Sequence, residues 1–348
     1  MKNLIYINII INMIFNKMIK KYNPGIPINL NSLNDYSYKI KIKKINNYNL
    51  YYYNEKWQTP VITEKNVFDI YFKNKDLPTN YFAFPWATLI DQYNFNKNTY
   101  LIDIVNKYKI NDEICFTICQ HICFKRIIPI LEKIGITHLF TPHKSKLDYK
   151  FIKTNIVIIP FILYPVNQND KLEKFFNYKY LYSFIGNYNS KYYLSDVRKN
   201  LLKLKNDNNL IEIKKEWYFH NHVHINQINN NNYNDNLDSE DLNYKNILKN
   251  SIFSLCPSGT GVNSIRIYEA MSFGSIPIIL SNNIILSEIL IKSNSIILFD
   301  ENNIINIDKF LKNISKKKIL SMKNNCLEFY KNYIHGNNFV KFIELYFT

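Results

Sequence analysis

Glycine is scarce in this sequence, with seven in 348 residues, and arginine is scarcer: of 44 basic residues only Arg126, Arg198 and Arg266 are arginines. A composition that prefers lysine makes each arginine informative, because a guanidinium offers a planar fork that an ammonium lacks. No glycine-rich loop is followed by Lys-Ser or Lys-Thr, which excludes a P-loop. No apolar run approaches the ~20 residues of a membrane span. The nearest, Leu4–Phe15, is 12 residues long, interrupted by Asn8 and Asn12, and lacks a small-residue cleavage site after it. It reads as an amphipathic lead-in or weak anchor, consistent with peripheral membrane association. Cysteine is limited to five, an odd number in a chain too large to need staples, which favours a reducing, cytoplasmic compartment. Cys115, Cys119 and Cys123 are spaced by four, but their segment reads as a buried strand with no second ligand pair, so no metal is assigned.

What the chain has is apolar bulk and positive charge. Hydrophobic residues make up 47% and aromatics 16%, which excludes a disordered chain. The net charge of +16 would suit nucleic acid, an acidic glycan or an anionic membrane. The lysines are scattered, however, and the wealth of Lys, Asn and Ile has the character of drift toward A/T-rich codons. A basic nucleic-acid-binding protein is the rival reading, but no recognition helix or zinc finger is present.

The length favours two domains. Residues 1–45 form a poorly specified lead-in. Residues 46–168 alternate strand-like runs with loops and short helices: strands at Leu50–Asn54, Phe68–Phe72, Glu113–Gln120, His138–Thr141 and Ile156–Pro160, and a helix over Phe124–Ile134 stopped by Gly135. Pro165–Lys174 reads as a polar linker. A second alternation over 169–316 has strands at Tyr180–Ile185, Ile211–Ile213, Lys249–Leu255 and Ser275–Leu280, with helices from Ser195 to about Lys205 and over Ser264–Phe273. Asn226–Asn243, rich in Asn and Asp, reads as a surface insertion, and 317–348 is helical in pattern. His220, His222 and His224 alternate, so they share one face of a strand; a half-exposed strand face is the default over a metal site.

The chemistry concentrates in Ser251–Leu280. Three of the seven glycines, Gly259, Gly261 and Gly274, fall within sixteen residues there. A buried strand ends at Pro257, a small-residue loop follows, and a helix start near Ser264 turns its free amides back on that loop, the makings of an anion site. Gly259 and Gly261 permit close approach of a phosphate, Arg266 can add a bidentate charge, and Glu269, on the same helix face, can accept ribose hydroxyls. The bland account makes Arg266 and Glu269 a surface ion pair worth ~0.3–0.5 kcal/mol. Gly259-Thr-Gly-Val-Asn-Ser264 approximates a dinucleotide fingerprint, but the next strand ends in Leu280-Ser-Asn-Asn283 without an acid for the ribose.

In this order and spacing, Pro257, Gly259, Ser264, Arg266, Glu269, Ala270, Gly274, Ile276 and Pro277 resemble the signature of the exostosin-like glycosyltransferases. Phe184-Ile-Gly186 with Arg198 resembles the family's strand–glycine–arginine element, and Phe84-Pro-Trp86 and Cys119-Gln-His121 are similar more loosely. The resemblance implies a GT-B fold, an α/β pair of Rossmann-like domains facing a cleft. It also implies inverting transfer of a sugar from a nucleotide-sugar, a UDP-sugar first, to a glycan, protein or lipid acceptor, with no obligatory metal. The absence of any Asp-x-Asp triplet agrees, whereas Asn282 and Asn283 stand where the family often has an acid. A relative that binds donor without turnover is the alternative within the family. Inverting transfer needs a base for the acceptor hydroxyl; Asp91, His121 and His143, each near the end of a proposed strand or on a loop, are the candidates.

Overall fold

The structure is a computed structural model that describes residues 39–94, 100–148, 153–169, 178–191, 193–214 and 236–348. Among these residues, eleven strands form two sheets. The first sheet begins with β1 (Lys41–Ile45) and β2 (Tyr48–Tyr52), followed by helix α1 (Thr63–Asn74), β3 (Asn80–Ala83), α2 (Trp86–Asn94) and α3 (Tyr100–Asn106). It continues through β4 (Cys115–Ile118), α4 (Ile128–Ile134), β5 (His138–Thr141) and β6 (Val157–Pro160). Its strands lie in sequence order, antiparallel only between β1 and β2. Alternate residues serve two cores: Leu50, Tyr81, Phe116 and Phe140 on one face, Tyr51, Phe82, Cys115 and Leu139 on the other. Tyr81 and Phe116, directly opposed across β3 and β4, stack with centroids 4.5 Å apart.

The second sheet comprises β7 (Tyr180–Asn187), helix α5 (Val197–Leu201), β8 (Asn209–Lys214), α6 (Asn236–Lys249), β9 (Ser251–Pro257), α7 (Arg266–Ser272), β10 (Ile276–Leu280), α8 (Glu288–Lys292) and β11 (Ile297–Leu298). All its pairings are parallel and its spatial order is β11-β10-β9-β7-β8. This is a doubly wound order whose direction of winding reverses between β7 and β9, leaving a crevice at their carboxyl ends. Helices α9 (Ile307–Lys312), α10 (Lys316–Tyr333) and α11 (Lys341–Phe347) complete the chain. The last returns to the first sheet, where Phe347 meets Phe116, His138 and Phe140 and Glu344 pairs with Lys75 at 2.8 Å.

Several sequence expectations shift. Phe68–Phe72 is not a strand but part of α1: Val67, Phe68, Ile70 and Tyr71 are buried at helical spacing, and Lys65 pairs with Asp69 one turn on. Lys41–Ile45, placed in the lead-in, pairs with β2. The expected surface insertion gives way at Asn236 to α6, displacing the following strand to begin at Ser251. The helix expected from Ser195 to Lys205 is α5 and a 3-10 turn over Leu202–Leu204, and that expected from Ser264 begins at Arg266. Gly135 and Gly274 end their helices with positive φ (92° and 68°), as helix stops do. No helix of the described residues is long and apolar enough to cross a membrane. The Leu4–Phe15 run and His220, His222 and His224 lie outside the described residues, as does much of the expected linker.

Phe342 in α11 is 5% exposed and packs against Phe161, Phe329 and Tyr333, so it joins the last helix to both halves. Phe342→Ala should cost about 3–4 kcal/mol by urea unfolding; a loss under about 1 kcal/mol would show that α11 is only loosely docked.

Candidate active site

The donor-side cluster forms where β7 and β9 diverge. Gly186 lies near the end of β7 and Pro257 ends β9, with Ser258 N–H donating to Leu280 O at 3.0 Å. Arg198, on α5, donates from Nε to Ser258 O and from Nη1 to Asn187 O, both at 2.9 Å. Arg266, the first residue of α7, donates to the Ile185 carbonyl and, at 3.2 Å, to the Tyr244 hydroxyl. Both guanidiniums lie against the Phe184 ring, 5.5 and 4.6 Å from its centroid, and Tyr193 covers Arg198 at 4.4 Å. A Cβ on Gly186 would meet Arg266 Nη2 at 3.2 Å and Arg198 Nη1 at 3.4 Å. The sequence therefore folds so that two of its three arginines, from separate elements, converge over one of its few glycines.

Among the described residues neither arginine forms an ion pair with a carboxylate. Burial pushes Arg198 down to about 10, and the charge of Arg266 adds to that. Each guanidinium has a nitrogen within 3.4 Å of the Cβ position of Gly186, and two charges so close repel by on the order of 2–3 kcal/mol at an effective dielectric constant of about 20. An anion between them would remove that repulsion and use the remaining N–H donors, and a diphosphate has the charge and the oxygens to do so.

Other expected donor residues have different surroundings. Glu269 is 2% exposed and accepts from Asn167 at Oε1 and from the Tyr244 hydroxyl at Oε2; burial raises its pKa against these contacts. Tyr244 thus stands between Arg266 and Glu269 in place of a surface ion pair. A Cβ on Gly261 would come within 2.5 Å of His143 Nδ1 and 2.7 Å of Ile122, so its lack of a side chain serves contact with the first sheet. Gly259 is roomier, with Arg198 Nη2 at 3.4 Å. Ser264 N–H is turned to Asn263 Oδ1, and Asn263 reaches Pro142 O at 3.0 Å.

Across that contact, the ends of β3, β4 and β5 bring the three candidate bases into one region. His121 Nδ1 accepts from Cys123 N–H at 2.9 Å, which leaves the ring proton on Nε2, 3.0 Å from Asp91 Oδ1. Burial opposes an imidazolium here, but Asp91 outweighs it and raises the ring's pKa. The other Asp91 oxygen accepts from Gln58 at 2.6 Å. Its side chain is 27% exposed against 11% for His121, so the carboxylate is the more accessible member. His143 Nδ1 is sealed without a hydrogen-bond partner. Burial first, and His121 second, hold the His143 pKa down to about 3 and keep the ring neutral.

Sequence reasoning missed Glu64, Gln58 and Tyr244, and gave Phe184 and Gln120 no role beyond their place in the resemblance. Glu64 is buried at the start of α1, accepts from Gln120 N at 3.0 Å and Ala87 N at 3.1 Å, and is pushed by burial up to about 8. It clamps the segments that carry His121 and Asp91. Its position in the first turn of a helix was the available signal, hidden by reading Phe68–Phe72 as a strand. Tyr244 sits in an Asn-rich stretch and carries no signal.

Residues 134–314, a little over half of the chain, match the Exostosin GT47 domain. The chain belongs to that family. The matched region runs from the end of α4 through the whole second sheet, so it contains both arginines. Exostosin-1a of Danio rerio is 27% identical over 136 residues, covering 37% of this chain and 18% of that protein. Exostosin-1 of Bos taurus is 26% identical over 136 residues, with 37% and 17% covered. The match thus spans under a fifth of the length of these relatives. Among solved structures, TarM aligns over 80% of this chain and 57% of its own at 13% identity and a TM-score of 0.38. The GtfA/B complex aligns over 80% and 58% at 13% identity and a TM-score of 0.37. In this exostosin-family chain the strand ends of the two α/β sheets meet where the loop after β5 docks on the end of β10.

Two tests follow from this geometry. Gly186→Ala, whose new methyl meets Phe184 Cζ at 3.0 Å and the two guanidiniums at 3.2 and 3.4 Å, should displace the arginines and weaken inorganic diphosphate binding about 10-fold by calorimetry while circular dichroism stays that of the wild type; unchanged binding would show that the anion sits elsewhere. His143 titrates near 6.5 when unfolded and at about 3 in the fold. The unfolded state therefore binds more protons between these values, and stability falls as pH falls. From pH 7 to pH 5 the wild type should lose about 2 kcal/mol more than His143→Gln in urea titrations; equal losses would place the ring in water.

Proposed function

We propose that this chain is an inverting glycosyltransferase that uses a UDP-sugar and transfers the sugar to a glycan, protein or lipid acceptor. The observation that carries the reading is the convergence of Arg198 and Arg266, without a partner carboxylate, over Gly186 at the point where the second sheet reverses its winding. Residues 169–316 hold the donor, residues 46–168 present the acceptor, and residues 317–348 lead back between them. The leaving group is the nucleoside diphosphate, whose developing charge falls on the two guanidiniums.

The acceptor hydroxyl attacks the anomeric carbon from the face opposite the diphosphate. As the new C–O bond forms, the bond to the diphosphate oxygen breaks and the hydroxyl proton passes to the Asp91 carboxylate. His121, engaged at both ring nitrogens, keeps that carboxylate oriented and is not itself the base. His143, with Nδ1 sealed and its ring against Gly261, is occupied by the contact between the sheets. No step calls for a metal, since the two guanidiniums carry the charge.

Calorimetric titration should give micromolar affinity for UDP, reduced at least ~30-fold (about 2 kcal/mol) in Arg198→Ala and Arg266→Ala. Asp91→Asn should retain UDP affinity while release of UDP from a panel of UDP-sugars falls ~10²–10⁴-fold. A wild type that ignores nucleoside diphosphates but takes up oligonucleotides would overturn the reading. Full turnover by Asp91→Asn would remove Asp91 from its role, and donor binding with no turnover of any UDP-sugar would leave a binding-only relative.

A further inference from the structure

We infer that Glu269 does not contact the donor's ribose, and that Glu269 and Tyr244 instead are positioning residues that hold the Arg266 guanidinium in place for the diphosphate. The inference rests on the diphosphate reading of the arginine pair and concerns how that pair is held.

A carboxylate that grips a ribose must offer free lone pairs along a path open to the ligand. Glu269 has neither. It is 2% exposed, and Oε1 accepts from both the backbone N–H and the side-chain amide of Asn167, at 3.1 and 3.2 Å. Oε2 accepts from the Tyr244 hydroxyl at 2.9 Å. Three of about four acceptor positions are occupied, so a vicinal diol could enter only by expelling Asn167 or Tyr244.

The same contacts give Tyr244 a direction. Its hydroxyl proton points at the Glu269 carboxylate, so its lone pair faces Arg266 Nε, which donates to it at 3.2 Å. With Nη2 held by the Ile185 carbonyl and the Phe184 ring beneath, the guanidinium is fixed at three points. Two of its five N–H groups are spent on these contacts, and three remain for an anion. Arg198 is held differently, by the carbonyls of Ser258 and Asn187. Only Arg266 is therefore governed by a phenol and, through it, by a carboxylate.

Asn167 extends the relay out of the second sheet. It lies in the segment that crosses from β6 toward β7, where Tyr164 N–H donates to Thr63 Oγ1 of α1 and Gln168 accepts from Tyr330 of α10. The aim of Arg266 is thereby fixed to the crossing between the two sheets as well as to its own helix.

The experiment measures binding of inorganic diphosphate, UDP and 2′-deoxy-UDP by calorimetry to the full chain and to Tyr244→Phe, Glu269→Gln and Arg266→Ala. Positioning requires Tyr244→Phe and Glu269→Gln each to weaken all three probes by a similar factor of about 10, leaving the UDP to 2′-deoxy-UDP ratio as in the wild type. Their double variant should be no worse than the worse single, and Tyr244→Phe should have no further effect on the Arg266→Ala background. A general loosening of the fold would instead weaken binding on that background too. If Glu269→Gln narrows the UDP to 2′-deoxy-UDP ratio while sparing inorganic diphosphate, Glu269 touches the ribose and the inference falls. Tyr244→Phe preserves ring packing and carries the test alone should Glu269→Gln not fold; unchanged diphosphate affinity in it also overturns the inference. A wild type that binds none of the probes sinks the donor-site reading itself, whereas a loss in Arg266→Ala alone sinks only the positioning roles.

Discussion

Two guanidinium groups share the space above Gly186, and the residues around them hold them there. Neutral acceptors support them: the carbonyls of Ile185, Asn187 and Ser258, the Tyr244 hydroxyl, and the faces of Phe184 and Tyr193. Such groups orient a cation without neutralising it. A directly paired aspartate would quench the charge and leave nothing for a ligand, so this fold keeps its nearest carboxylate, Glu269, one phenol away. The arrangement also explains the economy of glycine. Any side chain at residue 186 would occupy the point where the two charges meet.

What the sequence made legible was local. The run from Ser251 to Leu280 encodes strand, loop, helix, stop and strand within a short stretch, each with its own signal, and the element boundaries fell within a few residues. Phe68–Phe72 was misread because a five-residue apolar run fits alternation and helical spacing alike; the Lys65–Asp69 pair and Glu64 at the helix start were the discriminating marks. Gly261 was legible as a position that cannot bear a side chain, but not for its reason. Its crowding neighbours, Ile122 and His143, lie more than a hundred residues upstream, and no local pattern reports on such a contact. Likewise Asp91, His121 and His143 could be picked by chemical type, whereas only the fold reveals that the first two are engaged with each other and the third with neither.

The two halves share one hydrophobic core and also meet at a polar seam. The loop after β5 docks on the end of β10, with Lys146 N–H donating to Asn283 O at 2.8 Å and Ile285 N–H to Lys144 O at 3.1 Å, while His143 lies against Gly261. On one side of this seam stand two arginines, on the other a histidine drawn toward its carboxylate. A positive charge at His143 would be opposed by His121 and would lack an acceptor at Nδ1. Holding His143 neutral lets the halves approach without adding to the repulsion the arginines already generate. The arginine pair, by contrast, keeps two like charges close together with neutral acceptors around them.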